Sequence, residues 1–309
     1  MKKSLLIHPE ELSEKWIARA KEVGCDILAL HPVGGPVSCA TAERLGELCE
    51  QAEFRALIDK AIDAGLEVEY ELHAAEFLLP RVHFETHPEY FREDENGVRT
   101  TEYNFCVSEQ GALDLVGDRA VWYAKRLYRS NPKFYFWMDD IKGGICHCER
   151  CNGLSASDQQ LTVMNYLVKR LRAEIPGAKL AYLAYHDFMA VPQTVKPEDG
   201  IFLEYAPIER DFTKPVSDMP KEQIENLKAL LHFFGEKDSK VLEYWFDNSF
   251  FSKWTKPPAR FAANGALFKE DIAFYRGLGF EDISSFACYL GEDYEELYGE
   301  ADISVFQEI

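Results

Sequence analysis

The stretch KFYFWMDDIKGGICHCERC, residues 133–151, decides the fold. Phe134, Phe136 and Met138 alternate with Tyr135 and Trp137, so both faces of the segment are apolar, as in a strand covered on both sides. Gly143 and Gly144 mark where the chain must turn. Asp139 and Asp140 therefore fall at the C-terminal end of a buried strand, where parallel α/β proteins gather their chemistry. Alternation sends Phe134, Phe136 and Met138 toward a helix layer and Tyr135, Trp137 and Asp139 inward. Asp140 lies at the turn, where alternation no longer gives a direction.

Working outward, strand-like segments recur as CDILALHP (25–32), LEVEYELHAAEF (66–77), a brief apolar run at 104–107, KLAYLAYHD (179–187), GIFLEYAPIERD (200–211), KVLEYWFDN (240–248) and DISSFACYL (282–290). Helical spacing occupies 10–23, 41–64, 111–129, 157–174, 221–234 and 267–278, with Gly24, Gly65, Gly177, Gly235 and Gly279 as stops. In the second segment Val68, Tyr70 and Leu72 alternate with Glu67, Glu69, Glu71 and His73, so the acids point into the sheet's interior or up to its mouth. Strands alternating with helices imply a parallel sheet, and a count of eight implies closure into a single (β/α)8 TIM barrel over 1–309. Residues 80–103 are polar and too long for a bare connector, which predicts a lid or a site wall. Neither a GxGxxG nor a GxxxxGK[ST] element follows the first segment, which argues against nucleotide chemistry and against an organic cofactor.

The formal charge of −19 disfavours nucleic acid and anionic membrane surfaces as partners, and no apolar run is long enough to span a bilayer. The apolar run in MKKSLLIHPEELSEKW is too short for a signal-peptide core, so a cytoplasmic location is the expectation. Aromatic residues make up 13% of the chain, more than a core needs, as in sugar-binding clefts; most of the 21 phenylalanines belong to the core. Of the eight cysteines, Cys25, Cys39, Cys49 and Cys288 stand among apolar neighbours as reduced core thiols.

Cys146, Cys148 and Cys151 form C-x-C-x-x-C, compact enough to wrap one ion, and Cys106 at a neighbouring segment end supplies a fourth soft ligand. His147 is a weaker fourth candidate. Four thiolates leave no open position, so such a zinc would be structural. A redox C-x-x-C pair and a chance cluster of thiols in a turn are the competing readings.

Glycoside cleavage needs two carboxyl groups, one protonated and one charged. Asp139 or Asp140 after the fourth segment and Glu243 in the seventh stand roughly opposite on an eight-membered ring. The plain alternatives are loop solvation for the aspartates and a buried cationic partner for Glu243. His31, His73, His186, Asp187 and Glu204 end other strands as candidate sugar ligands. Trp245 and Tyr185 are candidate stacking platforms, and Asp247 shares the alternating face of Glu243 and Trp245.

The run HPEYF (87–91), the segment ending at Cys106, and MDDIKGGICHCERC followed by SASDQQ resemble the barrel family catalogued as domain of unknown function 4838. YLAYHD and VLEYWFDN look like that family's fifth and seventh strands, and the likeness runs over about residues 66–290. The resemblance implies a glycoside-hydrolase-like barrel acting on carbohydrate, some relatives being fused to α-glucuronidase-type modules. Asp140 falls on the family's aspartate, and Asp139 replaces its asparagine. The cysteine order is also similar to the zinc knot of glycoside hydrolase family 42 β-galactosidases, which place an Asn-Glu acid just before their cysteines; this too implies Asp140.

Three functions follow as expectations. The first is a glycosidase with Asp140 or Asp139 as acid and Glu243 as nucleophile or base. The second is a sugar isomerase or epimerase holding Mn²⁺ or Mg²⁺ on His73, Asp139, His186 and Glu204. The third is a carbohydrate-binding barrel without turnover.

Overall fold

The computed structural model describes residues 1–128 and 131–308. Eight parallel strands close into one barrel in chain order: β1 (Lys2–Ile7), β2 (Ile27–Leu30), β3 (Glu67–His73), β4 (Lys133–Trp137), β5 (Lys179–Ala184), β6 (Ile201–Tyr205), β7 (Lys240–Glu243) and β8 (Asp282–Phe286). Closure is made by β1 against β8, with Ser4 opposite Ser284 and Leu6 opposite Phe286. The fold is a single (β/α)8 TIM barrel, as the alternation of segments implies.

One of the eight strands was not expected, and one expected strand is absent. Lys2–Ile7 is β1, although its two lysines mask the apolar run; Lys2 reaches Glu67, and Lys3 donates to the Val23 and Phe306 carbonyls below the barrel. Residues 104–107 are not a strand. Tyr103 and Asn104 have φ of 54° and 43°, in the left-handed region that breaks a ladder, and the Cys106 N–H goes to the Tyr90 carbonyl at 2.9 Å.

The outer helices are α1 (Glu14–Glu22), α2 (Ser38–Leu48), α3 (Ala52–Asp63), α4 (Ala75–Leu78), α5 (Gln110–Arg126), α6 (Ala156–Glu174), α7 (Lys221–Phe234), α8 (Asn248–Phe251), α9 (Gly265–Leu278) and α10 (Glu292–Tyr298). The single helix expected at 41–64 is two, parted where Arg55 Nε caps the Cys49 carbonyl at 2.5 Å. Arg129, the expected end of the helix before β4, lies outside the described residues. Ser155, not Ser157, caps α6. Asp158 instead receives the N–H groups of Gln193, Thr194 and Val195 at 2.8–3.0 Å, anchoring the connection from β5 to β6, which holds a single 3₁₀ turn (His186–Phe188) and no α-helix. Among the described residues no helix is long and apolar enough to cross a membrane.

Side chains divide as the pleat demands. Leu5, Val68, Tyr70, Leu72, Phe134 and Phe136 pack with the helices, while Leu6, Ala29, Tyr135, Trp137, Leu183 and Phe202 fill the barrel. The barrel's lower interior is ionic. Lys240, fully buried, pairs with Glu71 and stands 3.3 Å from Glu69 and 3.9 Å from Glu204. Tyr135 and Asn131 donate to Glu69 at 2.8 and 2.9 Å. Burial first, then the charge of Glu71, pushes the Glu204 carboxyl well above the usual range. A buried ammonium among three carboxyl groups is thus balanced locally, as burial of charge requires.

Candidate functional site

Above this ionic layer the C-terminal ends of the strands surround a cavity of about 500 Å³. Trp137 forms part of its floor, and its indole N–H donates downward to Glu204 at 2.8 Å. Tyr185, Tyr244, Trp254, Phe286 and Tyr289 contribute aromatic wall. Two carboxylic acids line it: Asp140, from the turn after β4, and Asp247, from the turn after β7.

Asp140 accepts the Tyr185 hydroxyl at 2.9 Å and has His186 Nε2 at 4.0 Å. Burial raises its carboxyl's pKa, but His73, the Tyr185 hydroxyl, His31 and His186 together hold it below the usual aspartate value. Asp247 is the N-cap of α8, one oxygen accepting the Ser249 and Phe250 N–H groups, each at 3.1 Å. Burial nonetheless raises the Asp247 carboxyl above its ordinary value, outweighing those bonds and the nearby His8. Two acids of one cavity are thus shifted in opposite directions by their surroundings.

Three histidines rise from adjacent strand ends. His8 Nδ1 meets the His31 carbonyl at 2.8 Å, His31 Nδ1 the Glu71 carbonyl at 2.8 Å, and His73 Nδ1 the Met138 carbonyl at 2.6 Å. A carbonyl only accepts, so each Nδ1 carries the hydrogen. Burial, then the neighbouring His8 and His73, holds His31 down at about 3; burial likewise lowers His8. Gly34 closes this side of the cavity. A Cβ there would lie 3.1 Å from His73 Cδ2 and 3.3 Å from Asp140 Oδ2, so backbone alone fits.

Several expected site residues lie elsewhere. Glu243 faces the helix layer, fully buried, where Arg210 Nε stands at 3.1 Å and the Tyr275 hydroxyl donates at 2.6 Å. Its partner is the buried cation that the plain reading anticipates. Trp245 points the same way and donates to Asp271 at 3.0 Å. Asp139 turns from the cavity, receiving the N–H groups of Glu76 and Asn104 at 2.9 and 2.5 Å and Arg81 at 3.2 Å. Asp187 accepts the Gly143 N–H at 2.5 Å and pins that glycine turn, where Gly143 has φ of 72°. Glu204 lies beneath Trp137, and His186, between Asp140 and Glu209, lines a neighbouring cavity. Asp139, Glu204 and His186 therefore do not converge with His73 on one ion, against the isomerase expectation. His31, His73, Asp140 and Asp247 do meet in the cavity. His8 and Tyr244 were missed; His8 ends the strand hidden behind the lysines, and Tyr244 continues β7 on its inward face.

The cysteine cluster forms beside β4. The Sγ atoms of Cys106, Cys146, Cys148 and Cys151 lie within 4.8 Å of one another, all buried. Cys106 Sγ is 3.7 Å from Cys148 Sγ and 3.8 Å from Cys151 Sγ. Those spacings are far beyond a disulfide and match the roughly 3.8 Å edge of a tetrahedron with metal–sulfur bonds of about 2.3 Å. The donor set fits a structural metal. Residues 80–103, expected as lid or wall, wrap this cluster: Glu93 N–H approaches Cys146 Sγ at 3.4 Å, and Arg99 donates to the Phe91 carbonyl at 2.6 Å. None of them lines the cavity.

Residues 48–235, more than half of the chain, match the family described as Domain of unknown function (DUF4838). The chain belongs to that family. No curated protein matches it in sequence. In structure this DUF4838 barrel is similar to a glycoside hydrolase, with a TM-score of 0.54, 12% identity, and coverage of 93% of this chain and 88% of that one. It is also similar to a β-galactosidase from the psychrophilic Marinomonas ef1, with a TM-score of 0.52, 14% identity, and coverage of 92% and 54%. A Bacteroidetes-affiliated GH5 cellulase gives a TM-score of 0.52 at 12% identity, with coverage of 99% and 88%. The chain spans about half the length of that β-galactosidase. At such identities the likeness is one of fold alone: a closed (β/α)8 barrel.

Proposed function

We propose that this DUF4838 barrel hydrolyses a glycosidic bond, with Asp247 as general acid and Asp140 as the ionised partner. The observation that carries the reading is the pair of carboxyl groups in one aromatic-walled cavity, shifted in opposite directions by their surroundings. Asp247 gives its proton to the glycosidic oxygen as the bond from that oxygen to the anomeric carbon breaks. Asp140 either attacks the anomeric carbon or takes a proton from the attacking water. The configuration of the first-formed sugar, read by proton NMR, distinguishes retention from inversion.

The test is a panel of chromogenic glycosides against wild type, Asp140→Asn and Asp247→Asn. Turnover by wild type that falls in both variants supports the reading; equal rates remove the substituted residue from the mechanism. A barrel that binds sugar without turnover would show affinity for the same panel and no release of chromophore.

Cys106, Cys146, Cys148 and Cys151 are proposed to hold zinc, which would brace the turn after β4 and supply no chemistry to the reaction. Metal analysis of purified protein is expected to find about one zinc per chain, released when Cys148 is replaced by Ser.

A further inference from the structure

Three of the cavity's polar groups, on Asp140, His8 and His31, are acceptors toward a ligand. Asp140 is an anion, and the His8 and His31 rings, with their hydrogens committed at Nδ1, present Nε2 as a bare acceptor. Neither Nε2 has a hydrogen-bond partner among the described residues. The Gly34 Cβ position would stand 3.8 Å from His31 Nε2, which places that atom at the cavity wall.

Among the described residues no lysine or arginine lines the cavity. Three cations that flank it are matched to acids. Arg81 is held by Asp139 at 3.2 Å and Lys142 by Glu209 at 2.6 Å. Lys256, over the Tyr289 ring at 4.9 Å, pairs with Asp293. Among the described residues no lysine or arginine of the wall is offered to a ligand carboxylate, sulfate or phosphate, and Asp140 together with the chain's net charge of −19 repels one. A ligand rich in donors is complementary to the same surface, and one carrying a positive charge gains further from the carboxylate and aromatic faces.

We infer that this cavity is an acceptor surface, selecting sugars that present hydroxyl or protonated amine donors and rejecting uronates and sulfated or phosphorylated sugars. The inference rests on the reading that the cavity binds carbohydrate, and it names the class.

The test is calorimetric titration of matched sets near pH 7: glucosamine, glucose and glucuronate, then galactosamine, galactose and galacturonate. In the series that binds, the amine is expected to bind at least about tenfold more tightly than the uronate, with the neutral sugar between. Val33 lines the cavity and is 36% exposed, so Val33→Arg adds a cation without disturbing the core. That variant is expected to narrow the amine-to-uronate ratio by about tenfold or more. A uronate bound as tightly as its amine by wild type overturns the inference. So does an unchanged ratio in a folded Val33→Arg, or the absence of binding in both series. Because no turnover is needed, the expected order without hydrolysis would sink the hydrolase reading and leave this selectivity standing.

Discussion

Two sets of buried acids occupy this barrel, and they differ in what faces them. Inside the strands Glu69, Glu71 and Glu204 surround Lys240, and behind β7 Glu243 and Asp271 grip Arg210, with the Arg210 to Asp271 contact at 2.6 Å. At the mouth Asp140 and Asp247 have hydroxyls, imidazoles and backbone N–H groups for company, but no cation in the cavity wall. The paired acids are committed to holding the chain together. The unpaired ones retain free valence toward a ligand, which is where chemistry is expected.

That contrast is most directly broken by substitution at the mouth. Asp140→Asn and Asp247→Asn are each expected to lower kcat by about 10²–10⁴-fold with little change in thermal unfolding. A large loss of stability in either would mean that the mouth acids are structural too. The reverse is expected behind the strands. Arg210→Ala leaves Glu243 and Asp271 buried without a countercharge and should cost about 3–5 kcal/mol in denaturant unfolding, kcat per folded molecule being preserved. Lys240→Met should destabilise to a similar extent for the same reason.

A smaller effect is read in the pH profile. Asp247 must keep its proton to act as acid, and its carboxyl is raised, so activity is lost as pH climbs through that raised value, by about tenfold per unit beyond it. Asp140 must be ionised, and its carboxyl is lowered, so activity is lost as pH falls through that lowered value. The smallest change should come from Tyr185→Phe, which removes the 2.9 Å bond to Asp140. It should move the acid limb upward by up to about one pH unit while leaving the alkaline limb in place.

The barrel was legible because alternation is local. Val68, Tyr70 and Leu72 against Glu67, Glu69 and Glu71 sort correctly from spacing alone, and so do Phe134 and Phe136 against Tyr135 and Trp137. It failed where a strand is disguised or ends. Lys2 and Lys3 hide β1, and with it His8, because their ammonium groups find partners below the barrel that no neighbouring residue announces. Glu243, Trp245 and Asp247 share a parity, yet β7 stops at Glu243. Beyond that point the chain turns into α8, which returns Asp247 to the mouth while Glu243 stays behind the wall. Parity holds through Tyr244 and Trp245 and is lost at the turn into α8.

Asn104 joins two parts of the molecule that chemistry alone would keep separate. Its N–H reaches the Asp139 carboxylate at 2.5 Å, its side-chain oxygen accepts the Asp139 N–H at 2.8 Å, and its amide donates to the Gly144 carbonyl at 2.9 Å. Two residues later comes Cys106, and one residue after Asp139 comes Asp140. The cysteine knot is therefore tied to the turn that carries Asp140 through one asparagine. On the proposed zinc site, withdrawing the metal would slacken that tie and with it the placement of Asp140.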